Sequence, residues 1–193
     1  MSRGSVSLPL GAAATAAPGG APGSTAEQGP DEAMEAEGLS EALVAEATAA
    51  GLTVAACESL TAGLVSARIA DTPGASAVLR GGFVVYATQT KATVAGLDAD
   101  DLADDGPVHP RTAERMAEAA RERFAANLGV STTGVAGPGP ADGVPAGRVW
   151  LAATGLEPRV VDLPGDRAEV RRRAADAALA LLLEAVRGAA GRS

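Results

Sequence analysis

The stretch LTVAACESLTAG, residues 52–63, decides how the rest of the chain is interpreted. Its first half, residues 52–57, is a short apolar run of the kind that forms a strand buried on both faces. Polar and small residues follow at once, and residues 61–70 then have the pattern of a helix, which the Asp-Thr-Pro-Gly sequence at 71–74 ends. A buried strand that turns directly into a helix is the repeating unit of α/β proteins.

The same alternation of strand and helix patterns continues on both sides of this stretch. Helices are predicted over residues 39–50, 89–95, 110–127 and 166–187, and strands over residues 82–87, 130–133, 148–154 and 159–163. The last two strands are adjacent in the chain, so part of the sheet should be antiparallel. We therefore expect a three-layer α/β/α sandwich with a mixed, mostly parallel sheet.

The N-terminal residues 1–36 differ from the rest in composition. They are rich in Gly, Ala, Pro, Ser and Thr, and they hold too little large apolar surface to offset the entropy of ordering. A secretory signal is disfavoured because the apolar stretch 6–17 is weak and is interrupted by Pro9. We expect a disordered tail over residues 1–36, one domain over residues 37–190, and a cytoplasmic location.

Composition excludes several classes of function. The 193 residues carry a net charge of -8 with no basic face, which disfavours nucleic-acid binding. No run of 18 apolar residues occurs, so a membrane span is not expected. The single cysteine, Cys57, and the single histidine, His109, disfavour a metal site, and we expect neither a metal nor a cofactor.

Three polar segments follow predicted strands, where α/β proteins usually bind their ligands. In the first, Ser59 should be exposed at the edge of the sheet. The amides of Thr61, Ala62 and Gly63 should point from the start of a helix, where partial positive charge favours an anion or an oxyanion. The alternative is an ordinary capping turn with Ser59 or Thr61 as the N-cap residue.

The second segment holds the only tyrosine, Tyr86, and the only lysine, Lys91. The chain otherwise uses arginine as its basic residue, so Lys91 is a candidate for a position that arginine cannot fill. A lysine that is desolvated beside a serine can lose its proton and act as a base. The alternative is a surface lysine on a short helix.

The third segment is the glycine-rich loop Thr133-Gly-Val-Ala-Gly-Pro-Gly-Pro140, in which backbone can approach a ligand closely, as in loops that cradle phosphate. It is not a Walker loop, since no Gly-Lys-Ser/Thr follows.

Together the segments resemble the CinA C-terminal-domain family. The resemblance rests on Glu-Ser-x-Thr-x-Gly, Gly-Gly-x-x-x-Tyr-x-x-x-x-Lys, Thr-Gly-x-Ala-Gly-Pro and Pro-x-Gly-x-Val-Trp in that order, and residues 167–173 are similar to the start of the family's last helix. The family's activity is that of a nicotinamide-nucleotide amidohydrolase. The resemblance therefore implies hydrolysis of the carboxamide of nicotinamide mononucleotide to nicotinic acid mononucleotide and ammonia, in pyridine-nucleotide recycling.

The resemblance also implies roles for individual residues. Ser59 is the expected nucleophile, Lys91 its base, and Tyr86 a residue that orients Lys91 or the carboxamide. The expected partner is a small nucleotide substrate, and the family suggests a homo-oligomer. The expected substrate-binding residues lie in the first and third segments: Glu58, Thr61, Ala62, Gly63, Thr133, Gly134, Gly137, Pro138 and Gly139.

The chain departs from the family pattern at a few positions. Leu60 and Ala62 stand where the family usually has Cys and Gly, and Ala87 stands where it usually has Ser. One alternative is therefore an inactive ligand-sensing or interaction protein on the same fold. Another is a cysteine nicotinamidase with Cys57 as nucleophile, which requires a metal cluster with several histidines and is disfavoured by the single His109.

Overall fold

The computed structural model describes residues 30–192 of the chain. The predicted tail over residues 1–36 lies mostly outside the described residues, but residues 30–36 belong to the first helix. In chain order the helices and strands are α1 Pro30–Ala50, β1 Val54–Glu58, α2 Leu64–Ala70, β2 Leu79–Val84, α3 Thr88–Thr93, α4 Ala99–Asp105, α5 Pro110–Arg123, β3 Leu128–Gly134, β4 Arg148–Ala153, β5 Arg159–Asp162 and α6 Arg167–Ala190, with a short 3-10 turn at Ala75–Ala77 between α2 and β2.

The five strands form one mixed sheet in the order β2-β1-β3-β4-β5. Strand β1 lies at the centre of a parallel trio, paired with β2 on one side and β3 on the other. Strand β4 is antiparallel to both β3 and β5, so it alone among the five described strands runs the opposite way. The predicted mixed, mostly parallel sheet is confirmed.

Helices cover both faces of the sheet. Alternate residues of β1 point to opposite layers: Val54 and Ala56 belong to the core beneath α1, α2 and α6, whereas Ala55 and Cys57 belong to the core beneath α5. All five residues of β1 are buried, which is the reason that its sequence is a continuous apolar run rather than an alternating one. The predicted three-layer arrangement is confirmed.

Several element boundaries differ from those predicted. Helix α2 begins at Leu64 rather than Thr61, because residues 59–63 form a turn that passes through two left-handed conformations, at Ala62 with φ 52° and at Gly63 with φ 98°. Helix α5 ends at Arg123, since Ala125 also adopts a left-handed conformation. Helix α4 was not predicted, although Asp98 caps it with two hydrogen bonds to the amides of Asp100 and Asp101.

Helix α1 extends further in the N-terminal direction than the predicted helix over residues 39–50. It begins at Pro30, and proline is well suited to the first turn of a helix because it has no amide hydrogen to leave unbonded there. Within residues 30–192, none of the helices is both long enough and apolar enough to cross a bilayer.

Candidate active site

The parallel trio of strands brings the three polar segments to one edge of the sheet. Since β1, β2 and β3 run in the same direction, the segments that follow them start at the same edge. Ser59 follows β1, Lys91 lies in α3 just after β2, and the glycine-rich loop follows β3. This is the edge at which open α/β sheets bind ligands.

Ser59 and Lys91 are in direct contact. The Nζ atom of Lys91 lies 3.2 Å from the Oγ atom of Ser59 and donates a hydrogen bond to it. Ser59 is 7% exposed and Lys91 only 2%. A neutral amine at this position can accept the hydroxyl proton across the same contact, which is the arrangement of a nucleophile and its base. The interpretation of Lys91 as a surface lysine is wrong.

Burial changes the acid-base properties of this pair. It lowers the pKa of the Lys91 amine below its ordinary value of 10.5, because an ammonium group loses its hydration there. A negatively charged Cys57 would oppose this shift, but burial raises the pKa of the Cys57 thiol to about 12. Cys57 is therefore a neutral thiol at neutral pH. It is also fully buried, so a reactive Cys57 thiolate, as a cysteine nicotinamidase needs, is not formed here.

The turn that carries Ser59 is closed by Glu58 rather than by a Ser or Thr cap. The Glu58 carboxylate accepts hydrogen bonds from the amides of Gly63 (2.8 Å), Val65 (3.1 Å) and Ser66 (2.9 Å), and from the Ser66 hydroxyl (2.8 Å). These contacts occupy both carboxylate oxygens at the positive end of α2. Glu58 therefore holds the turn together, and both of its carboxylate oxygens are engaged within the protein.

The expected set of oxyanion donors needs correction for the same reason. The Gly63 amide is bonded to Glu58 at 2.8 Å, and the Ala62 amide donates to the Ser59 carbonyl oxygen at 3.1 Å. The Ser59 amide donates to the Thr132 carbonyl oxygen of β3 at 2.9 Å. Among the hydrogen bonds of the described residues, the amides of Leu60 and Thr61 are the two in this turn that donate to nothing.

Thr61 lies inside the protein rather than at the mouth of the site. Its hydroxyl is 2.7 Å from the hydroxyl of Thr132, and both residues are fully buried. Together with the bond from the Ser59 amide to Thr132, this contact joins the turn to β3 on the inner side. The Thr61 hydroxyl is therefore engaged inside the protein, and the amide is the group of this residue that is left to bind a ligand.

Tyr86 lies at the solvent-exposed rim of the site, beside Arg167, and not against Lys91. It is 55% exposed, and its hydroxyl contacts the guanidinium of Arg167 at the start of α6. The same guanidinium donates to the carbonyl oxygen of Gly137 at 2.8 Å. Arg167 thus links the segment after β2 to the glycine-rich loop. The expectation that Tyr86 orients Lys91 receives no support from these contacts.

The glycine-rich loop is anchored at its N-terminal end. The hydroxyl of Thr133 donates to the carbonyl oxygen of Pro107 at 2.6 Å and is fully buried, so it fastens the segment before α5. Gly134 is confined, since a β-carbon there would lie 2.5 Å from the Arg148 carbonyl oxygen. A β-carbon on Gly139, in contrast, would have no atom within 4 Å. The open part of this loop is therefore around Gly139, beside Pro138.

Two residues that shape the site, Arg167 and Thr132, were not among the site residues predicted from the sequence. Arg167 lies among the basic residues at the start of α6, and nothing in that pattern distinguishes it from its neighbours. Thr132 lies in an apolar strand beside Ser131 and Thr133, and three consecutive hydroxyl residues in a buried strand were a detectable signal. Among the described residues, no group of three or more His, Cys, Asp or Glu side chains is placed to hold a metal ion.

Comparison with known proteins gives one consistent result. Residues 36–186 match the family model of the CinA C-terminal domain. The chain is 45% identical over 139 residues to a CinA-like protein of Frankia casuarinae, and the alignment covers 70% of this chain and 32% of that protein. A CinA-like protein of Mycobacterium is 42% identical over 142 residues, with coverage of 71% and 34%. The chain therefore spans about a third of the length of the curated relatives it matches.

Solved structures agree with the sequence relatives. The competence/damage inducible protein CihA from Agrobacterium tumefaciens has a TM-score of 0.72 at 33% identity, and the match covers 79% of this chain and 96% of that one. A CinA superfamily protein from Escherichia coli has a TM-score of 0.74 at 31% identity, with coverage of 78% and 90%. Since the family model covers most of the domain and both kinds of relative agree, the chain belongs to the CinA C-terminal domain family.

Proposed function

We propose that this protein is an amidohydrolase that converts nicotinamide mononucleotide to nicotinic acid mononucleotide and ammonia. One observation carries the proposal: a buried lysine amine lies 3.2 Å from a serine hydroxyl at the ligand-binding edge of the sheet. Because burial lowers its pKa, the Lys91 amine is neutral, and so able to act as a base, at a lower pH than a solvated lysine is. Family membership supports an amidase and the resemblance described above supports this substrate.

In the proposed reaction the Ser59 hydroxyl oxygen attacks the carboxamide carbon while its proton passes to the Lys91 amine. The resulting ammonium then gives that proton to the departing nitrogen, so that ammonia leaves and an ester to Ser59 remains. Water attacks this ester, one of its protons passes to Lys91 and then to the Ser59 oxygen, and the carboxylic acid that forms loses its remaining proton to solvent and leaves as the carboxylate. Each proton that Lys91 accepts is returned, so the protein ends the cycle unchanged.

The negative charge of the tetrahedral intermediate requires hydrogen-bond donors. The amides of Leu60 and Thr61 follow Ser59 directly and donate to no group in the described residues. We assign the oxyanion to these two amides in place of the Ala62 and Gly63 amides, which are already bonded. A donor of this kind is typically worth about 2.7–4 kcal/mol in the transition state.

The phosphate of the nucleotide requires positive charge at the rim. Arg167 is exposed, and its guanidinium contacts the Tyr86 hydroxyl and the Gly137 carbonyl oxygen. A guanidinium binds phosphate through two parallel hydrogen bonds. We assign the 5′-phosphate to Arg167, with the open backbone around Gly139 beside it.

The experiment is to add nicotinamide mononucleotide to the purified protein and to measure ammonia together with the acidic product. The expected result is stoichiometric release of both, absent in Ser59→Ala. Binding of the nucleotide by calorimetry without ammonia release would instead support the inactive ligand-sensing protein. Free nicotinamide, which lacks ribose and phosphate, should be hydrolysed far more slowly.

A further inference from the structure

Helix α6 makes a second contact with the active site, through Arg171. Its Nε atom donates to the carbonyl oxygen of Leu60 at 2.9 Å, and its terminal nitrogen donates to that of Thr61 at 3.0 Å. These two carbonyl groups are consecutive and belong to the residues directly after Ser59. One guanidinium therefore fixes two successive peptide groups of the nucleophile-bearing turn.

This contact sets the direction of particular amide groups. In a planar trans peptide the carbonyl oxygen of one residue and the amide hydrogen of the next point in opposite directions. The Leu60 carbonyl oxygen points to Arg171, so the Thr61 amide points away from it. The Thr61 carbonyl oxygen also points to Arg171, and accordingly the Ala62 amide points away, to the Ser59 carbonyl oxygen at 3.1 Å.

Arg171 also polarises these peptide groups. A positive charge on the carbonyl side draws electron density toward the oxygen and makes the amide on the far side a stronger donor. The Thr61 amide is one of the two amides in the turn that donate to nothing among the described residues. It is therefore both oriented and strengthened as a donor while remaining available.

Arg171 lies one helical turn after Arg167 on α6, and positions four apart share a face of a helix. The start of this helix is fixed by a capping box, in which the Asp166 side chain accepts from the Glu169 amide and the Glu169 side chain accepts from the Asp166 amide. A single rigid helical turn thus reaches the rim through Arg167 and the nucleophile turn through Arg171.

We propose that Arg171 is a positioning residue for catalysis: it holds the Leu60 and Thr61 peptide groups so that the Thr61 amide faces the oxyanion. It does not touch the substrate. The catalytic part of this inference rests on the proposed function, whereas the structural part, that Arg171 orders residues 59–63, does not. The two parts are tested by separate measurements.

The test compares Arg171→Met and Arg171→Lys with the control Arg172→Met. Arg172 is exposed and is the neighbouring position of the same helix. Arg171→Met should lower kcat about a hundredfold, the usual cost of a displacement near 1 Å in a catalytic group, with KM within threefold of the original. Arg171→Lys can reach one carbonyl oxygen at a time, so its kcat should lie between those of Arg171→Met and the original protein. Millimolar guanidinium should restore part of the kcat of Arg171→Met, and sodium chloride should not.

The second measurement is amide hydrogen exchange in the peptide that contains residues 59–63. Arg171→Met should exchange at least tenfold faster there, with the rest of the sheet unchanged, and Arg172→Met should match the original protein. Unchanged exchange in Arg171→Met overturns the inference, whatever the activity. A loss of kcat that guanidinium does not restore overturns the catalytic part. If the original protein releases no ammonia, the proposed function fails and the exchange result alone decides whether Arg171 orders the turn.

Discussion

The Nζ atom of Lys91 lies 3.2 Å from the Oγ atom of Ser59, although 32 residues separate them in the chain. The contact exists because β1 and β2 are adjacent and parallel, so that the turn after one and the helix after the other begin at the same edge. The polar pair is enclosed by protein on almost every side. Among the described residues, the side-chain hydrogen-bond partner of this buried amine is a hydroxyl. A hydroxyl does little to stabilise a positive charge, which is the condition for a lysine base.

The first prediction concerns the identity of this base. Lys91→Arg should abolish ammonia release, because a guanidinium with a pKa above about 12 does not give up its proton near neutral pH. Ser59→Ala should fail to a similar degree, and the double variant should be little worse than either, since the two groups act as a unit. Rates of the three variants, with circular dichroism to verify folding, provide the measurement. An arginine variant that keeps a tenth of the original kcat/KM would exclude this pair.

The pH dependence of the original enzyme gives a second prediction. Only the neutral form of Lys91 is a base, so kcat/KM should rise with pH through a pKa that burial has lowered below 10.5. The measurement is the pH profile of kcat/KM with subsaturating nucleotide. A profile that rises only near 10.5 would indicate that Lys91 is solvated in the free enzyme.

The free energy of unfolding should rise with pH because of the ionisation of Lys91. A base whose pKa is lower in the folded protein than in the unfolded chain disfavours folding at low pH, and this penalty disappears as pH rises to the unfolded value of 10.5. Lys91→Met should therefore raise the free energy of unfolding at neutral pH while removing activity. The gain over the original protein should shrink as pH approaches 10.5. Urea denaturation of both proteins at several pH values measures this difference in the free energy of unfolding. A difference that does not change with pH would contradict the prediction.

The fold was predictable because its signals are local. A strand buried on both faces must be apolar throughout, as Val54–Glu58 is up to its last residue, and the polar residues Ser59 and Lys91 then identify the edge where ligands bind. The α4 helix was missed despite the capping residue Asp98, because its acidic sequence offers few apolar positions with helical spacing.

The roles of Glu58 and the α6 arginines were not predictable from sequence. The Glu58 carboxylate reaches the amides of Gly63 and Ser66 only because the turn passes through left-handed conformations, and a glutamate after a strand does not reveal this. Arg171 contacts the turn and Arg172 is exposed, yet their sequence context is nearly the same. The choice between them is made by how α6 packs against α2 and the sheet.

The Glu58 contacts give a prediction about stability. Glu58→Gln replaces one accepting oxygen by an amide nitrogen, so two of the four hydrogen bonds are lost and a donor faces donors. The free energy of unfolding should fall by about 3–6 kcal/mol, since two bonds are lost and hydrogen bonds to a buried charged group are worth about 1.5–3 kcal/mol each. The control is Glu157→Gln at an exposed position, which should be neutral. Equal melting temperatures for the two variants would contradict the role assigned to Glu58.

The left-handed conformation of Ala62, with φ 52°, gives a prediction of the opposite sign. A residue with a β-carbon is strained there by about 1–2 kcal/mol, which exceeds the entropic cost of glycine. Ala62→Gly should therefore raise the free energy of unfolding by about 0.5–1 kcal/mol. The matched control is Ala67→Gly, the same change on an exposed position within α2, which should lower it by about 1 kcal/mol. Thermal denaturation of both decides the sign.

The last prediction distinguishes substrate binding by Arg167 from catalysis by Ser59 and Lys91. Arg167 lies at the rim, in contact with Tyr86 and with the Gly137 carbonyl oxygen. If its guanidinium binds the phosphate, Arg167→Gln should raise KM for nicotinamide mononucleotide by about tenfold to a hundredfold, because a charge-assisted hydrogen bond is worth about 1.5–3 kcal/mol. Its kcat should stay within threefold, since Ser59 and Lys91 are untouched.

Nicotinamide riboside, which lacks the phosphate, is the matched substrate for this test. The original enzyme and Arg167→Gln should hydrolyse it with the same kcat/KM, because the interaction that was removed is absent from both reactions. Tyr86→Phe should raise KM for the mononucleotide less than Arg167→Gln does, since it leaves the guanidinium in place. A loss in Arg167→Gln that is equal for the riboside and the mononucleotide would place Arg167 outside the phosphate site and assign it to holding the glycine-rich loop through Gly137.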